Sequence, residues 1–256
     1  MATRTLTPRQ QELLTQVQRE GFGSVEALAR HFGVTYQTIR RDINCLVELK
    51  LLKRYHGGAG LPSSIENFAY DTRRTLFHEE KRRIAQLVAQ HIPNNSSLFI
   101  NLGTTTEEVA KALLRHKGLR VITNNLNVAA LMSANQECEV IVTGGMVRSR
   151  DRGVIGEATV EFIRQFKVDF GVIGISGIER DGTLLDFDYH EVRVSEAIIA
   201  NSRRVLLVAD HSKFGRQALV RLAQLSRIAA LFTDRPIPPE MARVFAEAKT
   251  EVHVVG

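Results

Sequence analysis

Tryptophan is absent from the chain, aromatic residues make up 6% of it, and cysteine occurs only as Cys45 and Cys138. Two cysteines so far apart supply neither a disulfide framework nor the paired spacing of a metal knuckle. No uninterrupted apolar stretch approaches the roughly 18 to 20 residues of a membrane-spanning helix. The first eleven residues carry Arg4 and Arg9 but lack the apolar block of a secretion signal. The expectation is a cytoplasmic protein without a bound metal or other cofactor. Global disorder is excluded, because 44% of the 256 residues are hydrophobic and 24% charged, enough for a sizeable core.

The net charge of +6 is unevenly spread. Residues 1–60 hold nine Lys/Arg against five Asp/Glu, while the remainder holds 25 against 23. A basic excess confined to one quarter of the chain suits a polyanionic partner. The same quarter predicts three helices. Thr7 caps the first, with Pro8 at its first position and Leu13, Leu14 and Val17 on its apolar face. Ser24 caps the second, which carries Val25, Leu28, Ala29 and Phe32, and Gly33 stops it. Thr35 caps the third, whose Ile39, Ile43, Leu46 and Val47 repeat at helical spacing up to Leu49 and Lys50.

Helix, helix, turn, helix is the grammar of a helix-turn-helix. At about 100° per residue, Gln37, Arg40, Arg41 and Asn44 sweep a polar arc away from the apolar stripe of the third helix. Arginine pairs with the two acceptors of guanine, and Gln or Asn with adenine. Thr35, Tyr36 and Thr38, at the helix start, suit phosphates. A solvated face of an ordinary three-helix bundle is the alternative. Residues 51–59 then read as a short strand bringing Lys53 and Arg54 into a glycine turn, a wing laid against the sugar-phosphate backbone; His56 reads as a surface residue. The head is expected over 1–59.

Residues 60–78 contain Pro62, Ser63, Ser64 and Asn67 and little periodicity, so a linker is expected there. The body, 79–256, opens with a helix carrying Ile84, Leu87, Val88 and Ile92. Short apolar strands alternate with amphipathic helices after it, at 98–100, 121–123, 140–143, 170–175, 205–209, 230–233 and 252–255. Several are apolar at consecutive positions, as strands covered on both faces must be, which predicts an α/β body with a largely parallel sheet.

The carboxyl ends of parallel strands share one edge, where ligands generally bind. Here those ends carry Gly103-Thr104-Thr105-Thr106, Thr123-Asn124-Asn125, Thr143-Gly144-Gly145, Ser176-Gly177 and Asp210-His211-Ser212-Lys213. Gly103 lets backbone approach closely, and the threonines offer N–H and hydroxyl donors at a helix start, which favours phosphate. A merely capped turn is the plainer reading. Lys213, flanked by Asp210 and Ser212, tips it toward an anion site.

The run Val34-Thr35-Tyr36-Gln37-Thr38-Ile39-Arg40-Arg41-Asp42-Ile43, followed by Leu52 and Tyr55-His56-Gly57-Gly58-Ala59, resembles the winged helix-turn-helix of DeoR-type bacterial repressors. The body resembles the DeoR effector domain and, more distantly, ribose-5-phosphate isomerase. The stretches that carry this are Leu102-Gly103-Thr104-Thr105, Thr123-Asn124-Asn125, Gly174-Ile175-Ser176-Gly177-Ile178 and Asp210-His211-Ser212-Lys213-Phe214-Gly215. The resemblance covers essentially the whole chain. It implies an operator-binding homo-oligomer, dimer or tetramer, released by a small phosphorylated effector. Arg54-Tyr55-His56-Gly57-Gly58, Leu61-Pro62-Ser63-Ser64, Arg148-Ser149-Arg150-Asp151 and the run from Leu185 to Glu191 are similar to members answering to sn-glycerol 3-phosphate. Their likeness also implies Lys81 as a second cation at the phosphate site. Asn101 and Glu179 stand where Asp is usual in the family.

An isomerase with an attached DNA-binding head is the competing reading. Such isomerases resemble the body but use an acidic loop, and here the corresponding stretch is Gly174-Ile175-Ser176-Gly177-Ile178-Glu179, with no lysine between Ser176 and Ile198 to stabilise a developing oxyanion. The expectation is therefore a protein without catalytic residues. Asp186, Asp188, His190 and Glu191 form an acidic cluster without compact metal-ligand spacing; effector contact, interface group or solvated charge remain open for it.

Overall fold

A computed structural model describes residues 6–49, 51–55, 57–61 and 67–256; Arg4, Lys50, His56 and the Pro62-Ser63-Ser64 run lie outside the described residues. Helix α1 (Pro8–Glu20) opens with a capping box in which Thr7 and Gln10 each bond the other's backbone N–H. Strand β1 (Phe22–Ser24) follows, too short to show a periodicity, then α2 (Val25–Phe32) on its Ser24 cap and α3 (Tyr36–Glu48) on Thr35. Leu13, Leu14, Val17, Leu28, Ile39, Ile43 and Leu46 make the core of this lobe. Asp42 on α3 is also buried, where it accepts from Arg9 Nε at 2.7 Å and Gln10 Nε2 at 3.1 Å.

The wing is shorter than the sequence suggests. Leu51 and Leu52 are buried in the lobe core, because two adjacent leucines gain more there than on an exposed ribbon. The strand proper, β2 (Lys53–Tyr55), begins after them and pairs with β3 (Gly58–Gly60), which also pairs with β1 in a three-stranded antiparallel sheet. Close approach demands glycine at Gly58: a Cβ there would lie 2.3 Å from the Gly23 carbonyl oxygen.

Within the stretch expected as a linker, α4 (Tyr70–Thr75) forms, and Leu76 and Phe77 are buried in the lobe core with Phe68 packed against it. Three apolar residues at irregular spacing give no periodic signal. Phe77 adopts a left-handed conformation (φ 53°), turning the chain into α5 (His78–Gln90).

The body then runs β4 (Ser97–Ile100), α6 (Thr104–Ala112), β5 (Leu119–Thr123), α7 (Leu126–Met132) and β6 (Cys138–Val142). A hairpin, β7 (Met146–Arg148) and β8 (Gly153–Ile155), precedes α8 (Glu157–Arg164) and β9 (Val168–Gly174). Next come β10 (Gly177–Ile178), β11 (Thr183–Asp186), α9 (Tyr189–Ala200), β12 (Ser202–Val208), β13 (Val220–Gln224), β14 (Ala230–Thr233), α10 (Ala242–Ala248) and β15 (Glu251–Val254). The seven expected strands form one sheet, ordered β15-β14-β12-β9-β4-β5-β6, with every pair parallel. Strands β10, β11 and β13 form a small antiparallel sheet beside it.

Side-chain alternation builds a core on each face of the large sheet. Leu98, Ile100, Val121, Leu206 and Val208 pack under α5, α6 and α7, while Phe99, Ile122, Val205 and Leu207 pack under α8, α9 and α10. In chain order the sheet grows from β4 through β5 to β6, then restarts at β9 on the opposite side of β4. That reversal opens a crevice beyond the carboxyl ends of β4 and β9.

Gly58→Ala is expected to destabilise the N-terminal lobe by about 2 to 4 kcal/mol, because the wing must separate from β1. Urea unfolding of the substituted protein measures it; an unchanged midpoint would contradict the packing described.

Candidate nucleic-acid interface and anion crevice

Burial of Ile39, Ile43 and Leu46 forces the opposite face of α3 outward, and Tyr36, Gln37, Arg40, Arg41 and Asn44 are all exposed on it. Thr35 is spent on capping: its Oγ1 accepts the Thr38 N–H at 3.2 Å and shares a hydrogen bond with the Thr38 hydroxyl at 2.9 Å. Lys53 and Arg54 project from the exposed wing, Lys53 over the Tyr55 ring at 5.8 Å. Arg54 donates to Asn44 Oδ1, which ties wing to helix. Tyr36, Arg40, Arg54 and Tyr55 together line the groove between them. Three of the expected DNA-facing residues, Tyr36, Arg40 and Arg54, thus share one groove between helix and wing.

The second site lies at the topological reversal. Its walls include Gly103, Thr104 and Thr105 from the end of β4, Gly174 and Ser176 from the end of β9, and Lys213 beyond β12. Helix α6 starts at Gly103 (φ 147°) with no side-chain cap, so its first N–H groups are left for a ligand. Lys213 stands on a 3-10 turn, His211–Lys213, held by Asp210 Oδ1, which accepts from the Ser212 N–H at 3.1 Å and from its hydroxyl. Asp210 is fully buried and supports the turn rather than lining the crevice.

Cations crowd this edge. Burial pushes the Lys213 ammonium down to about 7; Asp210 opposes the shift, while Arg216, Lys81 and Arg73 add to it. Burial likewise lowers Lys81 to about 8 and Arg216 to about 10. Burial alone would raise Asp210, but Lys213 and Lys81 hold it near 2. Lys81 is no solvated helix residue: it is buried, and its Nζ donates to the carbonyls of Arg73 and of Leu76, the latter at 2.6 Å.

Five expected effector residues do not line the crevice: Asp210 and Lys81, described above, and Asn124, Asn125 and Thr106. Asn125 caps α7, accepting from the Asn127 N–H at 2.9 Å, and donates to Glu107 at 3.1 Å; Asn124 donates to the Val154 carbonyl at 3.2 Å. Both follow β5, one strand beyond the reversal, and neither lines the crevice. The Thr106 hydroxyl is used internally on the carbonyls of Asn101 and Gly103, at 2.7 and 2.8 Å.

Other lining residues escaped the sequence reading. Asn67 and Arg73 come from the segment expected as linker, and Ser195 from α9. Nothing in their spacing marks them; only the path of the chain across the sheet edge does. Arg216, which stacks between the rings of Phe68 and Phe187 at 4.7 and 4.9 Å, had one signal, its nearness to Lys213.

The acidic cluster divides. Asp188 caps α9 and pairs with Arg148 at 2.7 Å and Arg150 at 2.9 Å. Glu191 also pairs with Arg148, and His190 is exposed. Asp186, accepting from Ser176 Oγ at 2.8 Å, lines the crevice together with Glu191. Burial raises both carboxyls, and Asp186 adds to the rise of Glu191 to about 7. Among the described residues no group of three or more His, Cys, Asp or Glu is arranged to hold a metal ion. Nor is any described helix long and apolar enough to cross a membrane.

The turn that carries Lys213 touches the lobe as well. Thr15 on α1 meets His211 Nε2 at 3.3 Å, His211 Nδ1 meets Asp234 at 2.6 Å, and the Phe77 ring stands edge-on to His211 at 4.8 Å.

A winged helix-turn-helix joined to a ligand crevice in an α/β body defines a DNA-binding regulator with a sensor domain. Residues 9–65 match the DeoR-like helix-turn-helix domain and residues 76–235 the DeoR C terminal sensor domain. The chain is similar to the glycerol-3-phosphate regulon repressor of Escherichia coli K12, 52% identical over 94% of this chain and 96% of that one. The repressor of the same description from Haemophilus influenzae is 52% identical over 95% of each chain, and the E. coli transcriptional repressor CsqR is 41% identical over 97% and 95%. The chain therefore belongs to the DeoR family and is a DNA-binding transcriptional repressor; these relatives are repressors, not enzymes. Among solved structures, ribose-5-phosphate isomerase A of Methanocaldococcus jannaschii aligns with a TM-score of 0.40 at 12% identity, over 54% of this chain and 55% of that one.

Lys53→Ala and Arg54→Ala are each expected to flatten the dependence of log K on log salt by about 1, with little change in preference among DNA sequences. Arg40→Ala and Arg41→Ala are expected to cost about 1 to 3 kcal/mol and to relax discrimination. Mobility shifts across ionic strengths separate the two patterns.

Proposed function

We propose that this repressor controls genes of glycerol and glycerol-3-phosphate catabolism, binds its operator as a cytoplasmic homo-oligomer, and is released by sn-glycerol 3-phosphate. The observation that carries the proposal is Lys213: a half-buried ammonium, depressed by desolvation and by three other cations, facing an uncapped helix start. Such a site gains most from a compact dianion, which restores the charge of its lysine and accepts the free N–H groups. Asp186 and Glu191, which line the same crevice, are acceptors for the hydroxyls of a short polyol. The 52% identity to repressors named for the glycerol-3-phosphate regulon supports glycerol 3-phosphate as the effector over other phosphorylated polyols.

In this reading Thr104, Thr105 and Gly103 hold the phosphate with Lys213, and Lys81 and Asp210 set the potential behind it. Ligand binding repositions the 210–215 loop, which touches α1 through His211, and so changes the spacing of paired lobes on the operator. The division into a DNA-binding lobe, a connecting segment and an effector body follows from the same argument.

The test is to challenge the protein–operator complex with a panel of phosphorylated polyols and sugars. Glycerol 3-phosphate should dissociate it at the lowest concentration; dissociation by another member, or by none, overturns the assignment. Lys213→Ala should retain operator binding yet require at least tenfold more effector for release.

A dianion raises a lysine that sits near 7 in the free protein, so binding at pH 8 should take up a proton. The sign follows: affinity is greatest near pH 7 and falls toward pH 9, by at most tenfold per unit for one proton. Calorimetry in buffers of different ionisation enthalpy reads the uptake directly; proton release would contradict it.

A further inference from the structure

We propose that Arg73, on the segment joining lobe to body, is a direct ligand of the effector's phosphate, and that the ligand takes it from Asp151. The inference rests on the effector reading above and assigns a residue that reading does not contain.

Arg73 lies in α4 and lines the crevice with Lys213, Thr104 and Thr105. Its backbone is pinned to the site from two directions: the Arg73 carbonyl accepts from Lys81 Nζ and from Thr104 Oγ1, the latter at 3.3 Å. The guanidinium is held by less. Nε donates to the Phe68 carbonyl at 3.1 Å, and Nη2 stands 3.8 Å from Asp151 Oδ2, too long for a good hydrogen bond. Asp151 is already engaged, taking two hydrogen bonds from Arg148 at 2.9 and 2.6 Å. Arg73 is therefore the weaker suitor for that carboxylate, and its side chain is only 18% exposed. Its fork geometry suits phosphate in two parallel bonds.

The other end of the same segment is committed to the lobe. Phe68 packs against the lobe core, and Leu76 and Phe77 belong to it. Asn67 accepts from Arg216 Nη2 at 2.9 Å and donates to Ser176 Oγ at 3.3 Å, so the segment also rests on the far wall of the crevice. A ligand that draws Arg73 inward pulls on residues that are part of the DNA-binding lobe, with no intervening element.

Calorimetric titration of the full-length protein with glycerol 3-phosphate tests this. Arg73→Ala should raise Kd roughly ten- to hundredfold. Arg73→Lys, which keeps the charge and loses the fork, should raise it by about three- to tenfold. A Kd within twofold of the unsubstituted protein for either variant overturns the proposal. Should the alanine variant fail to fold by circular dichroism, the lysine variant decides alone. Lys213→Ala in the same titration distinguishes the failures: if it loses binding while the Arg73 variants do not, the role of Arg73 falls and the effector site stands. If all three bind normally, both fall.

Discussion

Lys213 and Asp210 lie within electrostatic reach of each other at the carboxyl edge of the sheet, and Lys81, Arg73 and Arg216 act on the same lysine or aspartate. Concentrating like charge where water is scarce is unfavourable, and the buried Asp210, with Asp186 acting on Arg216, offsets only part of it. Everything else at that edge is arranged so that the imbalance persists. The strand reversal between β4 and β9 supplies the opening, and Gly103 leaves the start of α6 uncapped. The Asp210 carboxylate fixes the turn that carries Lys213 instead of reaching into the opening. An anion entering such a site would relieve repulsion felt by groups on several separate elements.

Those elements do not all belong to the body. Lys213 shares its loop with His211, which touches α1, while Arg73 shares its segment with Phe77, which is part of the lobe core. The two routes meet where the Phe77 ring stands against His211. Coupling between sites requires that a ligand favour one arrangement over another. Here the groups with reason to rearrange around an anion are one bond or one packing contact from the DNA-binding lobe.

Much of this was legible in the residues. The caps Thr7, Ser24 and Thr35 and the apolar repeats placed three helices, and consecutive apolar runs placed seven parallel strands, because burial on both faces leaves a pattern that survives without coordinates. Lys213 and the threonine loop could be paired because parallel strands must end on one edge. The same rule over-reached at Asn124 and Asn125: an edge is wide, and only strand order shows that β5 ends beyond the crevice. Asn67 and Arg73 were invisible for the opposite reason. A segment of irregular spacing has no local signature, and its chemistry comes wholly from where it is laid down. Leu51 and Leu52 show tertiary packing overriding a strand-like stretch, and β1 and the small β10-β11-β13 sheet are too short to announce themselves.

The recognition helix contains an acid between its arginines and the lobe interior. Asp42 follows Arg40 and Arg41 directly, yet its carboxylate turns inward and is covered by Arg9 and Gln10 of α1. Arg9 gains in basicity from that bond. The exposed face of α3 is therefore one from which a negative charge has been electrically withdrawn. How positive that face is depends on α1, and any loosening of α1 would unmask the charge.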